Sequence, residues 1–217
     1  MTTPPDNDIS NSYDDLLTIF NNTSIGLLYQ LSPYLLDEET KRILDDLVGK
    51  AKVEFIAFLE EMESERALNQ QIEQWRNQKT DPKYTYAIVK IINNTSHILK
   101  ITQTSLPLTQ SDRETFEVPD EGKIAFKSEF AYNYAYPWGK NKIMFNHFID
   151  FTDQDIGVRF DLGMIMNTSF GVFTPTLTPT IKNTVTSIGK SRINCSTKIT
   201  SMSDDAPFSF EVEIILG

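Results

Sequence analysis

Aromatic side chains recur at every second position near the middle of this sequence, and their chemistry is the clearest that the chain offers. Tyr and Trp combine an apolar ring with a polar tip, which suits them to lipid interfaces and to the faces of sugars. Alternation along a strand puts such residues on one face, where they could bind a ligand or pack in the core. The candidate ligand-binding residues are Tyr132, Tyr134, Tyr136 and Trp138.

Residues that could support catalysis are few and lack the context that catalysis needs. His97 and His147 are the only histidines and Cys195 is the only cysteine, so a zinc site is not expected. The sequence carries no nucleophile elbow, phosphate loop or dinucleotide fingerprint. We therefore predict that the protein is not an enzyme and that it binds no cofactor or metal.

Three aspartates lie close together in sequence and could hold a cation. They are Asp150, Asp153 and Asp155. The run lacks the glycine and the terminal glutamate of a calcium loop. We predict a solvated turn rather than a metal site.

The hydrophobic period changes from helical to alternating near Pro82, which predicts an α+β protein. Residues 1–11 are expected to form a disordered tail, residues 12–81 a helical region and residues 82–217 an antiparallel β-sandwich. The helical region is predicted to contain two short helices and one long helix from Pro33 to Gln78, which Gly49 could bend. Apolar residues three or four positions apart predict a buried stripe on the long helix: Leu44, Val48, Ala51, Phe55, Phe58, Met62, Leu68, Ile72 and Trp75.

Short alternating segments separated by turn residues predict the strands of the β part. Asn93–Ser96 is expected to close a hairpin, and Pro119–Gly122 is expected to form a type I turn. Two prolines in Thr174–Thr180 predict a loop there rather than a central strand. The closing strand is expected to bury Phe208, Phe210, Val212, Ile214 and Leu216.

The segment from Leu16 to Leu36 contains no charged residue, and acidic residues bracket it. Twenty-one residues are about the length of a helical membrane span. The segment could pack as short helices on the long helix, as the polar residues near its middle favour, or it could enter a membrane under some conditions. The candidate membrane-inserting residues are Ile25, Leu27, Leu28, Leu31, Leu35 and Leu36.

The charge of the chain limits its partners. The net charge is −10, and residues up to Thr80 include 15 acidic and 7 basic ones. An acidic chain without a basic stripe is not expected to bind nucleic acid or to be drawn to anionic lipid by charge alone. A single cysteine and the absence of a signal peptide predict a soluble protein made in the cytoplasm, which could be released to act on target membranes.

The β part resembles the lipid-binding sandwiches of the actinoporin and aegerolysin families. The resemblance rests on Ile91–Ser96 leading to Leu99, on Val118–Phe126, on the aromatic run that ends in Pro137-Trp138-Gly139, and on the final strand. It covers at most residues 84–217, and the helical region lies outside it. The resemblance implies a small sandwich whose Tyr132, Tyr134, Tyr136 and Trp138 contact lipid head groups, and which could form pores alone or with a partner.

Two functions remain open from the sequence. The first is a membrane-acting toxin or defence protein that binds lipid or glycan, with possible pore formation. The second is a protein-interaction or oligomerisation module that docks through its acidic helical region, since excess negative charge favours a basic partner.

Overall fold

The computed structural model describes residues 38–79, 81, 83–131, 142–171 and 175–217. The tail and the two short helices expected before the long helix lie outside these residues. Among the described residues the chain is mostly β, with one long helix and two sheets, one of which curls as a half-barrel. The long helix therefore precedes the strands, as the change of hydrophobic period near Pro82 predicts.

One continuous helix, α1 (Glu38–Asn77), accounts for the helical part of the described chain. It runs unbroken through Gly49 and ends before Thr80-Asp81-Pro82, as expected from the avoidance of helical geometry before proline. The expected buried stripe is only partly correct. Ile72 is 6% exposed and therefore buried, but Phe58 and Met62 are 56% and 54% exposed.

The chain divides into two compact units between Ser64 and Glu65, inside α1. In the first unit Lys50 pairs with Asp46 one helical turn away, at 2.7 Å. The second unit contains the last turns of α1 and all the described strands. Each unit is described by itself.

Nine strands are described in the second unit, arranged in two sheets. The four-stranded sheet has the order β4-β1-β9-β8 and the five-stranded sheet the order β3-β2-β5-β6-β7. The strands are β1 (Tyr84–Asn93), β2 (Leu99–Thr104), β3 (Glu117–Val118), β4 (Lys123–Ala131), β5 (Lys142–Asp153), β6 (Ile156–Phe170), β7 (Pro175–Ser187), β8 (Cys195–Met202) and β9 (Phe210–Leu216).

Two expected turns are crossings between the sheets, so both expectations were wrong. β1 and β2 lie in different sheets, and Asn93–Ser96 therefore does not close a hairpin. β3 and β4 also lie in different sheets, and Glu121 has a φ of 46°, which excludes a type I turn at Pro119–Gly122. Turn residues mark where the chain reverses, but they do not say which strand it joins next.

The four-stranded sheet is not wholly antiparallel. β1 pairs with β9 in parallel, from Ala87 opposite Phe210 to Asn93 opposite Leu216. Because the chain leaves β1 for the other sheet, the last strand can return beside it in the same direction. This corrects the expectation of a purely antiparallel arrangement.

Two further elements differ from the sequence expectation. β7 occupies Pro175–Ser187, where a loop was expected. Its prolines are tolerated because β7 is an edge strand, where a missing N–H breaks no ladder bond on the open side. A short helix that the sequence analysis did not predict, α2 (Gln110–Thr115), precedes β3, and Thr109 and Asp112 form its capping box.

The two sheets share one hydrophobic core. Side chains on alternate positions of both sheets are buried in it, as the alternation in the sequence predicts. The closing strand buries Phe210, Val212, Ile214 and Leu216, each 1% exposed, which confirms that part of the prediction. From the five-stranded sheet the largest fully buried residues are Phe151, Phe160, Met164, Met166 and Leu99.

The last turns of α1 pack on the outer face of the four-stranded sheet. Ile72 and Ile88 are 6% and 1% exposed, and neither belongs to the core between the sheets. Arg76 donates to both carboxylate oxygens of Glu211 in β9, at 2.6 and 2.7 Å. These hydrogen bonds raise the pKa of Arg76 above its ordinary value. The bidentate geometry fixes the end of the helix over the sheet.

A second charged contact lies at the other end of the docked helical segment. Lys123 in β4 donates to Glu65 at 3.1 Å, and Lys90 lies 4.0 Å from the other Glu65 oxygen. The hydrogen bond and the charge of Lys123 lower the pKa of Glu65. Glu65 and Arg76 thus attach both ends of the docked helical segment.

Asn93 joins two crossings at one end of the second unit. Its side chain is 1% exposed, and its Nδ2 donates to the carbonyl oxygens of His97 and Pro119 at 2.8 and 2.7 Å. Its Oδ1 accepts from the backbone N–H and the hydroxyl of Thr95, at 3.1 and 2.7 Å. The β1–β2 crossing is therefore tied to the crossing that starts at Pro119.

Removing the Asn93 side chain should be costly because it leaves buried polar partners without hydrogen bonds. We expect Asn93→Ala to lower the free energy of unfolding by about 3 kcal/mol. Asn94→Ala, at the exposed neighbouring position, should change it by less than about 0.5 kcal/mol. Urea unfolding measures both, and equal losses in the two variants would contradict this role for Asn93.

The lowered pKa of Glu65 predicts a pH-dependent contribution to stability. A carboxylate with a lowered folded-state pKa stabilises the fold above its ordinary value of 4.5, and the stabilisation disappears as the pH falls through the lower folded-state value. We expect Glu65→Gln to be less stable than the wild type at pH 7 and the difference to shrink below about pH 4.5. Urea unfolding across this range checks it, with Glu63→Gln as the control for charge loss on the same helix. A difference that does not change with pH would refute the assignment.

Candidate functional site

The residues that the sequence nominates for binding lie outside the described residues. Tyr132, Tyr134, Tyr136 and Trp138 fall within 132–141, and the membrane-inserting candidates Ile25, Leu27, Leu28, Leu31, Leu35 and Leu36 fall within 1–37. The structure describes both anchors of the aromatic segment, Ala131 at the end of β4 and Lys142 at the start of β5. Because these strands lie in different sheets, the segment joins one sheet to the other.

Strand register defines which end of the second unit carries these anchors. Ala131 pairs with Tyr84 at the start of β1, and Lys142 pairs with Met166, after which β6 continues to the tip of the β6–β7 hairpin. We call this end, with Tyr84, Ala131, Lys142 and the Phe170–Pro175 tip, the aromatic end. Asn93 and its hydrogen bonds lie at the opposite end.

Stacked aromatic rings form the base of the aromatic end. Phe130 and Phe145 have ring centroids 4.1 Å apart and planes only 7° from parallel. Phe145 also stacks on Phe210 at 6.4 Å, and the His147 ring lies 5.2 Å from Phe130. Phe130 and Phe145 precede and follow the aromatic segment, so their contact fixes the separation of its two anchors.

Large apolar side chains are exposed at the aromatic end. Ile143 is 65% exposed, Phe170 56%, Met202 42% and Tyr84 41%. Ile143 follows the Lys142 anchor, and Met202 pairs with Phe210 of the stack. No periodic pattern in the sequence marks these four residues as exposed. Phe170 could have been found from its position before Gly171 at a hairpin tip, where burial is difficult.

His147 does not form a nucleophile–base pair with its nearest hydroxyl. Its Nδ1 lies 3.0 Å from the carbonyl oxygen of Ser105 and 3.3 Å from the Ser105 hydroxyl. A carbonyl only accepts, so Nδ1 donates to it and cannot take a proton from Ser105. The Ser105 hydroxyl in turn accepts from the N–H of Phe148 at 2.9 Å. The contact holds the β5 strand against the segment after β2.

The three clustered aspartates contact three different side chains. Arg159 donates to both oxygens of Asp150 at 2.7 Å, which raises the pKa of Arg159. Asp153 accepts from His97 at 2.8 Å, and Asp155 lies 3.2 Å from Lys190. Asp150 is 4% exposed, so the expectation of a solvated turn is wrong for this residue. Among the described residues no group of His, Cys, Asp and Glu side chains could hold a metal ion.

No protein-family model matches this chain, and no curated protein matches its sequence. In the part of the chain that the structure describes, no helix combines the length and the apolarity that crossing a membrane requires.

The base of the aromatic end should depend on Phe145 in particular. We expect Phe145→Ala to lower the free energy of unfolding by about 3 to 5 kcal/mol, because it removes a buried ring that contacts both sheets. Phe148→Ala is the matched control, since Phe148 lies on the outer face of the same strand. The guanidinium carbon of Arg159 lies 4.6 Å from the centroid of the Phe148 ring. The control substitution should cost about 1 kcal/mol. Similar losses in urea unfolding would refute the special role of the stack.

Proposed function

We propose that this chain is a non-enzymatic, membrane-acting protein of the toxin or defence type. In this proposal it is a lipid-binding sandwich of the kind that the sequence resembles. Its aromatic end binds a membrane lipid or glycan through Tyr132, Tyr134, Tyr136 and Trp138. The observation that carries the proposal is the exposure of Ile143 and Phe170 at the same end as the anchors of the aromatic segment.

Exposed apolar side chains favour a lipid surface over water. Burying a whole Ile or Phe side chain contributes about 1.5 to 3 kcal/mol, so covering the exposed parts of Ile143 and Phe170 contributes about 1 kcal/mol each. The tyrosines and Trp138 of the segment between Ala131 and Lys142 add rings that suit the head-group region. Together these contributions support reversible attachment to a membrane.

Charge does not drive this attachment. The chain carries a net charge of −10, which opposes binding to anionic lipid. Among the described residues of the aromatic end, the basic ones are Lys142 and Lys83, and the acidic ones outnumber them: Asp81, Glu129, Asp204 and Asp205. Binding to neutral bilayers should therefore change little between low and moderate salt.

Membrane entry is a separate step in the proposal. The uncharged segment Leu16–Leu36 leaves its protein neighbours and inserts through Ile25, Leu27, Leu28, Leu31, Leu35 and Leu36. Its length matches a helical span of about 20 residues. Several copies that insert together would form a pore.

A second function is favoured by the exposed apolar residues of α1. Ile43, Val53, Phe58 and Met62 are all more than half exposed on an acidic helix. Such a surface fits a protein-interaction or oligomerisation module that docks a second copy or a basic partner. Light scattering in the absence of lipid distinguishes the two functions, because a stable oligomer without a membrane favours this alternative.

The membrane proposal predicts that one end of the second unit binds lipid. We expect the double variant Ile143→Ser with Phe170→Ser to lose at least about tenfold in affinity for neutral liposomes in flotation, because about 2 kcal/mol of apolar contact is removed. The matched control is Ile98→Ser with Ile188→Ser, which changes residues exposed to 43% and 44% at the opposite end. The control should bind as the wild type does.

Dye release from the same liposomes tests the second step. Wild type and control should release dye, and the Ile143 and Phe170 variant should release less at equal protein concentration. No binding of the wild type to liposomes of any composition would reject the proposal. Equal losses in the two double variants would reject the assignment to the aromatic end.

A further inference from the structure

Two buried hydroxyls in the described part of the second unit have no hydrogen-bond partner, and that of Thr85 belongs to a fully buried side chain. The Thr85 side chain is 0% exposed, and its Oγ1 contacts no donor or acceptor among the described residues. A buried hydroxyl without a partner is destabilising, and a valine of the same shape would avoid the cost. Thr85 therefore has a polar group that the folded chain itself does not use.

Two aromatic residues lie near Thr85 at the aromatic end. In β4 Thr85 pairs with Phe130. On the other side the parallel pairing begins at Ala87 and Phe210, and Phe208 precedes Phe210 by two residues, as Thr85 precedes Ala87. The Tyr86 N–H donates to the Ser209 hydroxyl at 3.3 Å, which agrees with this alignment. Phe130 and Phe208 are each 5% exposed and belong to the core, so all three side chains face inward.

Phe208 holds its buried position with an unfavourable backbone. Its φ is 58°, in the left-handed region that a bulky aromatic residue rarely adopts. A turn closed by the Phe208 N–H on the Asp205 carbonyl, at 2.9 Å, keeps it there. Strained residues of this kind concentrate at ligand clamps and switch regions. Strain at Phe208 and the unpaired hydroxyl of Thr85 thus occur at the same end of the second unit.

We propose that the Phe208 ring fills a binding pocket for a small amphiphile, made of an apolar ring or chain with one hydrogen-bonding group. When the ligand binds, Phe208 turns outward and its backbone relaxes toward the extended region. The apolar part takes the space of the ring beside Phe130 and Phe210, and the polar group pairs with Thr85 Oγ1. Relief of the strain offsets part of the burial that Phe208 loses. The pocket is independent of the proposed membrane function.

Two probes that differ by one hydroxyl test the pocket without any lipid. They are p-cresol and p-xylene, which have nearly the same shape. We expect the wild type to bind p-cresol about five- to tenfold more tightly than p-xylene in calorimetric titration, because only p-cresol pairs with Thr85. The backbone amide signals of Phe208 and Ser209 should shift in NMR spectra on titration.

Two isosteric variants separate a ligand role from a structural one. Thr85→Val should raise the stability of the protein and bind the two probes equally. Thr197→Val is the matched control, because Thr197 Oγ1 is also buried without a partner but lies at the level of Ile214, away from Thr85. It should also raise the stability, while the preference for p-cresol remains.

A third variant tests the displacement of the ring. Phe208→Gly suits the left-handed backbone and removes the side chain that the ligand must displace. It should bind p-cresol more tightly than the wild type. The proposal is overturned if the wild type binds p-cresol no better than p-xylene, if Thr85→Val retains the preference, or if Phe208→Gly binds p-cresol no better than the wild type.

Discussion

The contact between Phe130 and Phe145 is the interaction on which the rest of this structure depends. The two residues belong to different sheets, and their rings stack at 4.1 Å across the core. The described strands β4 and β5 lie in different sheets, and ring packing holds the anchors of the aromatic segment near each other. Phe130 pairs with Thr85 in the four-stranded sheet, and Phe145 also stacks on Phe210. The anchors of the segment that we propose binds the membrane, Ala131 and Lys142, thus lie beside the rings that hold the two sheets together.

The opposite end of the second unit is held by hydrogen bonds instead. Asn93 satisfies all its hydrogen-bonding groups with His97, Pro119 and Thr95. The docked end of α1 adds the bidentate pair of Arg76 with Glu211. Polar contacts therefore hold this end, whereas stacked rings hold the aromatic end. Both ends expose apolar side chains, and Ile143 and Phe170 at the aromatic end are more exposed than Ile98 and Ile188 at the other.

The sequence predicted local structure better than it predicted pairing. The helix expected from Pro33 to Gln78 is described from Glu38 to Asn77, and the alternating residues of β9 are buried as expected. In β1 the core residues are Ala87, Val89 and Ile91, on the face opposite to the expected Tyr84 and Tyr86. Local periodicity determines these features. It could not tell a hairpin from a crossing at Asn93, since both need the same turn residues, and it could not predict the parallel pairing of β1 with β9. Exposure of Ile143 and Phe170 depends on where strands end in space, which a single sequence does not contain.

In the proposed function the aromatic end makes the first contact with the membrane, and the docked end of α1 does not contact it. The two tryptophans report on this directly, because Trp138 belongs to the aromatic segment and Trp75 to the docked end of α1. The variant Trp75→Phe keeps only Trp138, and the variant Trp138→Phe keeps only Trp75. The fluorescence of each variant is measured with liposomes whose acyl chains carry bromine as a quencher. We predict that Trp138 is quenched and that Trp75 is not. Quenching of Trp75 alone, or of neither residue when the protein is bound, would contradict the account.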